Sequence, residues 1–74
     1  MDMFFEVYDR NAQHVLQVNV TDVRSYSLQD QTDKQGNTHY LIVYALKENR
    51  YIEEEFTNTA DRTSKLDKLA QFAV

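Results

Sequence analysis

The sequence predicts an α+β fold: an antiparallel, meander-like sheet of four to five strands, with room to curl, followed by one C-terminal amphipathic helix. Three observations predict it. Short segments with period-two apolar alternation or aromatic and β-branched enrichment recur through residues 2–56. Polar segments containing Asp, Asn or the lone glycine separate them. Apolar residues recur at helical spacing only beyond Thr57. Seventy-four residues make one domain, spanning 1–74.

Asp2 to Tyr8 reads as a strand, with Met3, Phe5 and Val7 on one face and Phe4, Glu6 and Tyr8 on the other. Asp9-Arg10-Asn11-Ala12 reads as a turn, because Asp and Asn side chains bond nearby backbone and tolerate left-handed conformations. His14 to Val20 is a second strand, with Leu16, Val18 and Val20 pointing one way and Gln17 and Asn19 the other. Thr21-Asp22 bends or bulges the chain, after which Tyr26 and Leu28 alternate with Ser25 and Ser27. Gln29 to Thr38 is wholly polar and without periodicity, which predicts a mobile loop, longer than the commonest hairpin connections.

His39 to Lys47 reads as a strand whose run from Tyr40 to Leu46 is apolar on both faces, the mark of a central strand covered on both sides. Glu48-Asn49 predicts a short hairpin turn, with Asn49 at positive φ. Arg50 to Phe56 returns as a strand in which Ile52, Glu54 and Phe56 share one face and Tyr51, Glu53 and Glu55 the other. Asn58 predicts a helix N-cap, with Asp61 in the first turn where its charge favours the dipole. Leu66, Leu69, Ala70 and Ala73 form the apolar stripe, with Phe72 at its edge, of a helix running from about Thr59 to about Ala73. The stretch from Val20 to Leu69, with its bend, hairpin, Phe56 and short helix ending in Leu, distantly resembles bacterial PH-like domains. It is too short for their full seven-stranded fold, and the resemblance carries over no functional residue.

Composition narrows the function classes. Eight Lys and Arg against twelve Asp and Glu give a formal charge of −4, which attracts neither nucleic-acid phosphates nor anionic membranes. Cysteine is absent, so neither a disulfide nor a thiolate metal site is expected. No signal peptide and no membrane span is expected, and the cytoplasm of a bacterium or phage-infected cell is the expected location. Asn19-Val20-Thr21 fits the glycosylation pattern but, without a secretory signal, is read as chance.

No catalytic, metal or cofactor motif stands out, and the expected answer for each is none. His14 and His39 each begin a strand, where a surface histidine is ordinary. Ser25, Ser27 and Ser64 lack a neighbouring base, and the lone Gly36 builds no phosphate cradle. Of Glu53-Glu54-Glu55, only Glu53 and Glu55 share a face; they could mimic phosphates or simply keep an edge strand from pairing. The nine aromatics could stack nucleic-acid bases, but residues 1–56 carry five Lys and Arg against ten Asp and Glu, so core and interface roles are favoured. One helix covers one face of the strand around Ile42, and the other face calls for a second copy or a curled sheet. The expectation is therefore a non-enzymatic protein-interaction module acting as a homodimer. Tyr40, Tyr44, Tyr51, Glu53 and Glu55 are the candidate contact residues. The alternatives are an acidic inhibitor or nucleic-acid mimic of the kind mobile elements encode, and a small-ligand domain whose pocket Phe5, Tyr44 and Phe56 would line.

Overall fold

The computed structural model describes residues 3–71. Five strands and one helix follow in order: β1 (Phe4–Asp9), β2 (His14–Asn19), β3 (Val23–Thr32), β4 (Thr38–Leu46), β5 (Arg50–Phe56) and α1 (Thr59–Ala70). The α+β class and the antiparallel pairing are as expected, but the strands form two sheets rather than one. β1 pairs with β2, and β3, β4 and β5 form a separate sheet in that order.

The division has a physical cause. A single-turn 3-10 helix at Val20–Asp22, capped by the Asn19 side chain on Thr21 N, redirects the chain between β2 and β3. The β1–β2 hairpin thereby supplies the cover that one short helix cannot. Phe5, Val7 and Val18 from the hairpin join Ile42, Tyr44, Leu46 and Ile52 from the larger sheet and Leu69 from the helix in one core. The two sheets touch where Arg10 N donates to the Glu53 carbonyl, 3.0 Å away. The amide of Tyr8 goes instead to the Glu54 side chain.

The face of β4 opposite Ile42 is not left bare, as the sequence suggests it would be without a partner. Leu41 is fully buried, and Val43 and Ala45 on its face are half-buried, within the single chain.

The polar stretch from Gln29 to Thr38 is not a ten-residue loop. β3 continues through Thr32 and pairs Gln29 with Leu41 and Thr32 with Thr38, leaving only residues 33–37 as the connection. Cross-strand pairing with β4 decides the conformation there. An edge strand exposed on both faces has no need of apolar alternation. The Asp33 carboxylate closes the tip by accepting from Gln35 N and Asn37 N, and Gly36 takes φ 89°.

Two other turns follow the sequence. Asp9 accepts from Asn11 N at 2.9 Å after β1, and Glu48 and Asn49 take φ 63° and 58° between β4 and β5. Asn58 caps α1 by accepting from Asp61 N at 2.8 Å. Ala73 and Phe72, assigned to the helix from sequence, lie outside the described residues.

Candidate functional site

Three polar or exposed assemblies stand out, and β5 builds two of them. Its inward face, set by the period-two alternation that buries Ile52, also carries Glu54 into the interior, 7% exposed. Three donors hold the carboxylate. Tyr44 OH donates at 2.9 Å, Tyr8 N at 3.2 Å and Lys65 Nζ at 3.3 Å. Lys65 also donates to the Glu6 carbonyl. One buried carboxylate therefore ties together the hairpin, the sheet and the helix. Burial first, then the Glu54 charge and the hydrogen bond to it, push the Tyr44 phenol far above its ordinary value, so it stays a donor.

The outward face of β5 places Glu53 and Glu55 side by side, as expected. Arg10, from the β1–β2 turn, lies 4.0 Å from Glu53 and 3.6 Å from Glu55. His39 on β4 reaches Glu55 through Nδ1 at 2.5 Å and Asp33 through Nε2 at 3.2 Å. The hydrogen bond to Glu55 first, then that to Asp33, raises the His39 pKa above its ordinary value. The Asn37 amide first, then His39, lowers that of Asp33. Both carboxylates of the outward pair thus have cationic or protonatable neighbours from the chain itself.

The third assembly is the open edge of the larger sheet. All of β3 beyond Val23 is exposed, including Tyr26 at 36% and Leu28 at 48%. Asp30 on the same strand pairs with Arg62, a buried helix residue that also donates to the Gln29 carbonyl at 3.2 Å and lies 5.6 Å from the Tyr40 ring centre.

Of the five residues singled out from sequence, Tyr51 is exposed (66%) and lies on the outward face with Glu53 and Glu55. Tyr40 is half-buried beneath Arg62. Tyr44 is interior, fully buried, and offers no surface to a partner of the folded chain. The ring of Phe5 lies 5.7 Å from that of Tyr44, so these two rings fill the space between them, and Phe56 packs at the margin of the same core. Glu54 and Arg62 were missed, although each has a sequence signal: a charge at an inward position, Glu54 between Ile52 and Phe56, Arg62 four residues before Leu66.

Among the described residues, no group of three His, Cys, Asp or Glu side chains could hold a metal ion, and no helix is long and apolar enough to cross a membrane. Comparison with known proteins adds nothing further: no family model, no curated protein and no solved structure matches the chain.

Proposed function

We propose that the chain is a non-enzymatic, cytoplasmic protein-interaction module that associates with itself. One observation carries this reading. β3 is a ten-residue strand at the open edge of its sheet, exposed from Arg24 to Thr32, with the large apolar side chains of Tyr26 and Leu28 partly exposed. A long open edge bearing apolar residues is a template for another strand, which a monomer would normally blunt. The acidic balance favours a protein partner over nucleic acid.

The acidic-mimic alternative has less support. Its carboxylates, Glu53 and Glu55, already face Arg10, and Glu55 also faces His39, so little unpaired charge is left to imitate phosphates. Sedimentation velocity across micromolar to sub-millimolar protein tests self-association. A sedimentation coefficient that rises with concentration is expected, and a monomer throughout would refute it.

A further inference from the structure

We propose that the open edge of β3 pairs antiparallel with the same edge of a second copy about a twofold axis at Ser27, joining two three-stranded sheets into one of six strands. This rests on the self-association proposed above and specifies its surface and register.

The backbone sets which registers are open. At the tip of the β3–β4 hairpin, Asp33 N donates to the Asn37 carbonyl. In an antiparallel ladder, bonded and non-bonded pairs alternate. Counting back from Asp33, the residues that bond to β4 are Gln31, Gln29, Ser27 and Ser25. The N–H and C=O groups of Asp30, Leu28 and Tyr26 therefore point to the open side. A second β3 can satisfy them only when even-numbered residues stand opposite even-numbered residues.

Side chains choose among the registers that remain. With Ser27 opposite its own counterpart, Tyr26 of each copy stands opposite Leu28 of the other, and Ser25 opposite Gln29. Arg24, which a bulge leaves without a partner on β4, stands opposite Asp30. Asp30 uses only one carboxylate oxygen on Arg62, and its side chain is 54% exposed. From residue 24 to residue 30, each pair is then apolar with apolar, polar with polar, or cation with anion. Centring the axis on Leu28 instead would set Tyr26 against Asp30 and Arg24 against Thr32, which loses both matches.

The rest of the fold leaves this edge clear. Helix α1 and the β1–β2 hairpin cover the inward sides of β4 and β5, while Tyr26 and Leu28 continue the same face onto β3 with only partial cover. A twofold axis normal to the sheet keeps the two faces distinct, so Tyr26 and Leu28 of both copies form one apolar cluster. β2 also has an open edge, but it is six residues long, and its apolar Leu16 and Val18 are already turned into the core.

The chain has no cysteine, so single-cysteine variants report the register directly. Ser27→Cys places two thiols at a non-bonded pair, where Cα atoms lie about 4.5 Å apart and a disulfide fits. On mild oxidation it should give a covalent dimer. Val15→Cys on the outer face of the hairpin and Tyr51→Cys on the outward face of β5 should not. Leu28→Lys should keep the far-ultraviolet circular dichroism spectrum, since Leu28 is already half exposed, and raise the dissociation constant by about tenfold or more, a step of about 1.4 kcal/mol. A monomer at every concentration overturns both the self-association and this pairing. A dimer that forms no Ser27→Cys disulfide, or one that cross-links through Val15→Cys or Tyr51→Cys, overturns the edge pairing alone and leaves self-association standing.

Discussion

Replacing Glu54 with leucine should strongly destabilise the fold. The substitution leaves three donors without their acceptor: Tyr44 OH, Tyr8 N and Lys65 Nζ. Tyr44 is fully buried and the Lys65 side chain is only 18% exposed, so water replaces the lost acceptor poorly. Breaking a buried ion pair by removing one partner typically costs about 3–5 kcal/mol. A chain of 74 residues has roughly 4–11 kcal/mol in total, at the usual stability per residue. Glu54→Leu should therefore lose about a quarter or more of the total stability. Urea unfolding followed by circular dichroism measures this against the parent protein. The triple variant Glu54→Leu, Tyr44→Phe, Lys65→Met removes two of the stranded donors as well, and should recover much of the loss because an apolar replacement of both partners is nearly neutral. A Glu54→Leu midpoint within the error of the parent, or a triple variant no more stable than the single one, would refute the carboxylate as the joint of the fold.

Three further outcomes are expected. Leu69→Ala should destabilise by about 2–5 kcal/mol, since Leu69 is 1% exposed in the common core, and a melting temperature lowered by less than a few degrees would contradict its docking. Asp33→Ala should loosen the hairpin tip by removing its bonds to Gln35 N and Asn37 N, and should speed amide exchange at those residues while β4 and β5 stay protected. His39 gains affinity for its proton on folding, so its contribution is fully present below the unfolded value near 6.5 and is lost as pH rises through the raised folded value. Tm should fall as pH rises through neutrality, and His39→Gln should flatten that slope.

Much of the fold is legible in the sequence because alternation reports burial directly. Phe5, Val7 and Val18 fall on the inward faces that their spacing assigns them, and Asn58 caps the helix it was expected to cap. What the sequence hides is of two kinds. Gln29 to Thr32 extend a strand whose pairing with β4 is invisible in an all-polar segment, because neither face of that stretch is buried. The number of sheets is the other. Period-two patterns say which side of a strand is covered, not whether its cover is a helix, a second molecule or an earlier hairpin. The apolar run from Leu41 to Leu46 shows that the strand needs cover, but the hairpin that supplies it on the Ile42 face, beside the helix, is made from residues that look like two more strands of the same sheet.

The two charges at inward positions hold the remaining lesson. Glu54 lies between Ile52 and Phe56, and Arg62 lies on the Leu66–Leu69 stripe, so each interrupts an apolar pattern at a position the pattern itself makes inward. A charge there must either be bent back to solvent or find partners inside, since an unpaired buried charge costs several kcal/mol. Both find them. Glu54 collects Tyr8, Tyr44 and Lys65 where hairpin, sheet and helix meet; Arg62 collects Asp30 and the Gln29 carbonyl where the helix meets β3. The consequence differs at the two edges of the sheet. Beside Glu54, the β1–β2 hairpin meets the β5 edge through one backbone bond, Arg10 N on the Glu53 carbonyl. Beside Arg62, the ion pair anchors β3 from its inward face only and leaves its backbone edge unpaired. The buried charge at one edge thus sits where the hairpin meets the sheet, while the buried charge at the other holds β3 extended with its edge open, the geometry a second strand requires.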